Sequence, residues 1–310
     1  MSIDRARRGL VAALALLMAV PALAGTWRHE LGTLTLDGTP RRIVTLNWAA
    51  TEAVLLLGVT PVGVANMDGY GYWVKEPPLP ESGVFNVGLR MAPSLEAIAE
   101  LKPDLIVTST ELAPAAELLE RIAPTYVISV YRDGSQPYET ARTQLLTLGQ
   151  ILDREDRAQA VLDDIEQTLA SQRARLERAG LTDRPVLLVS FMDDRHVRLY
   201  TPNGLFQKAL DGLGLSNAWP TPGSFWGFSL VGLEAIAEYP DARLIVLSPT
   251  PPGLAERLAD SPFWTHLPAV RRQQVYQIDT VWPFGGVYPI KRLATLITDS
   301  LLAGGSDRVR

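Results

Sequence analysis

Apolar residues in this chain come in short runs, separated by stretches whose apolar positions recur at helical spacing. "RRIVTLN" (41–47) reads as a strand, "AATEAVLLLG" (49–58) as a helix stopped by Gly58, and "VTPVGVAN" (59–66) as a second strand. Ser94 then stands where it can cap a helix whose first turn carries Glu96, and "LIVTST" (105–110) follows as a buried strand. The order restarts at "RPVLLVSF" (184–191), with a helix at "GLFQKALDGLG" (204–214) and a strand at "LIVLS" (244–248). Such alternation predicts βαβ units and mainly parallel sheets. The hexapeptide Leu95-Glu96-Ala97-Ile98-Ala99-Glu100 returns unchanged as Leu233-Glu234-Ala235-Ile236-Ala237-Glu238, and each copy is followed by Pro-Asp and a Leu-Ile-Val strand. The chain is built twice.

Between the copies the pattern changes. From Tyr138 to Arg178 there is no proline, and no glycine after Gly149; Ala158, Val161, Leu162, Ile165, Leu169 and Leu176 fall on one helical face. At 1.5 Å per residue, Arg154 to Arg178 makes a rod of roughly 38 Å, long enough to cross two lobes and fix their spacing. The expected fold class is therefore α/β: two Rossmann-like lobes with mainly parallel sheets, joined by one long rigid helix, with a ligand cleft between them. The divisions are 25–150 for the first lobe, 151–180 for the helix and 181–310 for the second lobe. Residues 1–24 read as an export signal. Arg5, Arg7 and Arg8 precede the apolar run Leu10 to Val20, and Ala22-Leu23-Ala24 offers a cleavage site near Ala24. The Arg7-Arg8 pair leaves Sec and twin-arginine export both open.

Composition narrows the function classes. Losing residues 1–24 removes three arginines and one aspartate, so the formal charge goes from −5 to −7, which argues against nucleic acid or anionic lipid as partner. There is no cysteine, hence neither a disulfide nor a lipid-bearing cysteine at the cleavage site, and a periplasmic protein of a Gram-negative cell fits these features. His29, His196 and His266 are far apart, no nucleophile elbow or phosphate loop is present, and Asp193-Asp194 reads as a polar turn. Neither an enzyme nor a bound cofactor is expected, although a periplasmic hydrolase stands as the alternative from another class.

Aromatic residues crowd four loops. Trp48 follows the first strand, Tyr70, Tyr72 and Trp73 lie in "DGYGYWVKEPP", Phe225, Trp226 and Phe228 in "GSFWGFS", and Trp282 and Phe284 in "VWPFGG". Aromatic walls suit a bulky amphipathic small molecule. Arg90, between the strand-like "GVFNVG" and the capped helix, supplies one guanidinium fork, which suits clustered oxygens of modest negative charge.

"RRIVTLNW", "YWVKEPPLP", "NVGLR", "LEAIAELKPDLIV", "TPNGLFQKALDGLG", "NAWP", "SFWG" and the late "VW" resemble, in order, the periplasmic ferric hydroxamate siderophore-binding proteins of the ferrichrome type, from about Arg41 to about Leu302. The resemblance implies a bilobal carrier of limited hinge motion that delivers a ferric chelate to an inner-membrane ABC permease with its ATPase. It implies a monomer that holds iron only as its siderophore complex. It makes Arg90 the clamp on hydroxamate oxygens, Trp48, Trp73, Trp226 and Trp282 pocket tryptophans, and Met192 an apolar wall residue, with Tyr70 beside them. It also suggests Glu96, Glu117 and Glu234 as permease-docking carboxylates. Three positions depart from the pattern: Leu112 and Phe284 stand where the family has tyrosines, and Arg198 where an apolar residue is usual. A second cation at Arg198 implies a more anionic ligand. Cobalamin, haem and a catecholate complex remain alternative ligands for the same fold.

Overall fold

The computed structural model describes residues 25–132 and 136–309; the export segment expected at 1–24 lies outside the described residues. Two five-stranded sheets organise it. The first runs Phe85–Asn86, Gly63–Val64, Ile43–Thr45, Leu105–Ser109, Thr125–Ile128, with every neighbouring pair parallel. All three residues of Ile43–Thr45, all five of Leu105–Ser109 and all four of Thr125–Ile128 are buried, as expected of a parallel sheet covered on both faces.

The second sheet departs from the expected parallel pattern. Its order is Phe228–Gly232, His196–Tyr200, Val186–Phe191, Arg243–Leu247, Val275–Ile278, and its first three strands pair antiparallel. The cause is local. Asp193 Oδ1 accepts from the backbone N–H groups of Arg195 and His196 at 2.7 Å each, closing a tight turn that returns the chain beside the strand it has just left. The Asp193-Asp194 pair is thus a turn.

The long helix is Glu155–Arg178, and it buries Ala158, Val161, Leu162, Ile165, Leu169 and Leu176, the apolar face read from the sequence. It packs on Pro137–Ile151, Gln207–Leu213 and Tyr288–Ala303. A break at Leu152, Asp153 and Arg154 separates it from Pro137–Ile151, and the two helices meet closely at Gly149, where a Cβ would stand 2.9 Å from that of Ala158.

Two sequence readings shorten or change type. The segment 59–66 forms only the strand Gly63–Val64. The aromatic loop "DGYGYW" is mostly helix, Met67–Trp73, capped by Asn66, whose side chain accepts from Gly69 N. One hydrophobic cluster runs through both halves of the molecule, joining Ile43 and Leu105 to Val186, Ile245 and Ile290. No helix among the described residues is long and apolar enough to cross a membrane.

Candidate functional site

Parallel strands end where their following loops converge, and the loops of both sheets converge on one cleft of about 330 Å³. Asn47, Arg90, Glu111 and Tyr131 reach it from the first half, and Phe225, Trp226, Phe228, Trp282 and Phe284 from the second.

The second-half wall is a chain of rings in edge contact. Trp282 meets Phe284 at 5.0 Å, Phe284 meets Trp226 at 5.8 Å, and Trp226 meets Phe225 at 5.1 Å. Trp226 and Phe225 are 40% and 48% exposed, unusual for rings this large and consistent with a surface made to be covered. Tyr131 closes the wall from the first half, 5.7 Å from Trp226 and 6.4 Å from Phe284. Its hydroxyl donates to Pro283 O at 2.8 Å and accepts from Leu205 N at 3.2 Å, tying the two halves together behind the rings.

Arg90 sits at the tip of the small hairpin Gly88–Leu89 with Ala92–Pro93. Its guanidinium carbon lies 4.0 Å from the Trp48 ring centroid and 5.5 Å from that of Trp282. Stacking fixes the plane of the fork without occupying its N–H groups. No hydrogen bond or ion pair engages those groups among the described residues, and Arg90 lines the cleft. Burial lowers the Arg90 pKa, and the nearby Glu111 charge opposes that effect; an arginine keeps its proton throughout.

The remaining sequence-derived site residues take different places. Trp48 is only 3% exposed, with its indole N–H donating to Asn66 O at 3.2 Å; it is the platform beneath Arg90. Trp73 lies 6.2 Å from Trp282 and backs that ring. Tyr70 is corrected outright: it is 0% exposed and its hydroxyl donates to Pro77 O, because the Met67–Trp73 helix turns it into the core. Met192, exposed at the turn after Val186–Phe191, does not line the cleft. Arg198 is also behind the wall, its guanidinium 4.4 Å from the Phe228 centroid and 5.7 Å from that of Phe284. The second cation therefore stacks on rings of the wall and does not line the cleft. Leu112 is buried in the first-half core, and its neighbour Glu111 is the residue that faces the cleft. Glu96, Glu117 and Glu234 are all exposed, away from the cleft lining.

Sequence reasoning does not single out Tyr131 or Glu111. Each follows a parallel strand, and that position is the one available indication. No cluster of three His, Cys, Asp or Glu side chains suited to a metal ion occurs among the described residues.

A family model described as "Periplasmic binding protein" matches residues 43–281. The chain belongs to the periplasmic binding protein family. Among similar proteins, the iron(3+)-hydroxamate-binding protein FhuD of Escherichia coli (strain K12) is 35% identical over 262 residues, covering 84% of this chain and 87% of that protein. The Fe(3+) dicitrate-binding periplasmic protein FecB of the same strain is 29% identical, covering 90% and 91%. The crystal structure of the Fe3+-Desferal-bound siderophore-binding protein FhuD from Vibrio cholerae superposes with a TM-score of 0.80 at 32% identity, covering 86% of this chain and 99% of that one. In this periplasmic binding protein the cleft thus lies between the two halves, where both sets of strand-end loops contribute.

Proposed function

We propose that this chain captures a ferric hydroxamate siderophore in its aromatic cleft and hands it, chemically unchanged, to an inner-membrane ABC permease. The observation that carries the reading is Arg90: a stacked, half-buried guanidinium with no acceptor among the described residues, at the edge of a wall of rings. A ferric trihydroxamate core is compact, near neutral and studded with iron-polarised oxygens. A planar fork of N–H donors bonds such oxygens, while Trp226, Phe284 and Trp282 cover the organic backbone. Iron enters only inside its chelator, and the ring-lined cleft supplies area and orientation for binding.

Export to the periplasm as a monomer, division at 25–150, 151–180 and 181–310, and docking through exposed Glu96 and Glu117 on one half and Glu234 on the other complete the proposal. One acidic display on each half suits a permease with two equivalent halves carrying basic residues.

The test is a titration of the purified mature protein with ferric trihydroxamates, a ferric catecholate, cobalamin and haem, read by tryptophan fluorescence. Ferric trihydroxamates should quench strongly, and Arg90→Ala should weaken them by about ten- to a hundredfold, the weight of hydrogen bonds to a charged group. Strong binding of cobalamin or haem with no response to any hydroxamate would overturn the reading.

A further inference from the structure

The cleft holds a second charge that an oxygen-rich ferric core does not call for. Glu111 stands at the start of the turn Thr110–Ala115, immediately beyond the strand Leu105–Ser109, and its side chain lines the cleft. Its Oε2 accepts from Asn47 Nδ2 at 3.3 Å and from Ser109 Oγ at 3.2 Å. Both donors also line the cleft, so the carboxylate of the exposed Glu111 is held at the cleft wall. Among the described residues its Oε1 accepts no hydrogen bond and neither oxygen forms an ion pair, although Arg90 lies near enough to feel the charge. Among the described residues, Arg90 and Glu111 are the charged members of the lining; Arg198 is screened behind Phe228 and Phe284.

We infer that Glu111 selects, within the proposed ferric hydroxamate class, chelates that carry a protonated amine. The inference rests on the proposed ligand class and narrows it. A ligand seated among these rings strips water from the carboxylate, and an Oε1 desolvated without a donor of its own is costly. A neutral arm over Glu111 leaves that cost standing and an anionic arm adds repulsion. An ammonium supplies the missing donor and the opposite charge at once. The division of labour is spatial: the Arg90 fork takes the iron-polarised oxygens, and Glu111 takes the cationic end of the chelator. This reverses the expectation that a second cation favours an anionic ligand, since the second charge that faces the ligand is negative.

The test compares three ferric chelates with one iron core: a linear trihydroxamate with a free terminal amine, its N-acetyl derivative and its N-succinyl derivative. The wild-type protein should bind the amine about tenfold or more tighter than the acetyl form, with the succinyl form weakest, and the preference should shrink as salt is raised. Glu111→Gln, close in shape, should bring the amine-to-acetyl ratio to near one, and Glu111→Lys should place the succinyl form first. An unchanged ratio in Glu111→Gln, an equal loss for all three chelates, or a wild-type preference for the succinyl form would overturn the inference while leaving the ferric hydroxamate reading intact. Failure of the wild-type protein to bind any of the three would instead sink that reading.

Discussion

Tyr131 shows how a single residue can serve cleft and fold together. Its ring closes the aromatic wall, while its hydroxyl satisfies Pro283 O and Leu205 N across the junction of the two halves. Tyr131→Phe keeps the ring and strands two buried backbone groups. It should therefore lower unfolding stability by about 1–3 kcal/mol in urea titration, with a smaller effect on chelate affinity than Trp226→Ala. Nothing in "VISVYRDG" marks this tyrosine, because both its partners lie more than 70 residues away. Arg90 was legible for the opposite reason: a lone cation between a glycine turn and a capped helix is a local pattern. Leu112 and Glu111 show the limit of such patterns. A family position can be counted along the chain, but which of two neighbours turns inward is set by the 3-10 geometry of Thr110–Ala115.

At the scale of elements, the repeated Leu-Glu-Ala-Ile-Ala-Glu block gives a controlled comparison. The first copy is the α-helix Leu95–Glu100, and the second, Leu233–Glu238, is a 3-10 helix. The residue before each differs: Ser94 Oγ accepts from Ala97 N at 3.2 Å, whereas Gly232 has no side chain with which to cap. A missing cap leaves the first-turn N–H groups without that acceptor, and the tighter i to i+3 pattern is a common result at such ends. Ser94→Ala should cost about 1 kcal/mol by chemical denaturation. Trp73 and Tyr70 make the complementary point. Glycines at 69 and 71 suggested a loop, but Asn66 caps a helix there and the fold keeps it.

Across the whole molecule the two halves share a core and are locked by charge. Lys75 pairs with Asp279 at 2.7 Å, and Arg292 bonds both Asp279 and Glu76. At the same junction Glu52, buried in the helix Trp48–Leu56, accepts from Val287 N and Tyr288 N at 2.9 Å each, at the start of Tyr288–Ala303. Gly286, at φ 73°, gives it room, for a Cβ there would stand 1.9 Å from Glu52 Oε1. Burial pushes the Glu52 carboxyl from 4.5 up to about 8, and the two N–H bonds pull the other way without reversing it. The folded state thus holds this proton more tightly than the unfolded chain. Its stabilising contribution is complete below about pH 4.5 and is lost as pH rises through about 8. The urea midpoint should fall between pH 5 and pH 9, and Glu52→Gln should flatten that fall; an equal fall in the variant would show that other groups cause it.

Sequence alone determined what depends on near neighbours and on repetition. The 3.6-residue apolar face of Glu155–Arg178, the alternation of strand and helix, the duplicated block and the aromatic loops are all written in short windows, because local periodicity decides which face must be buried. Tertiary structure decided which of those aromatic and charged side chains meet. It withdrew Tyr70 into the core, set Arg198 behind the rings, left Met192 outside, and brought Tyr131 and Glu111 to the cleft. Side-chain direction at a strand end is fixed by packing against partners distant in sequence, and a cleft between two halves exists only once both have folded against one helix.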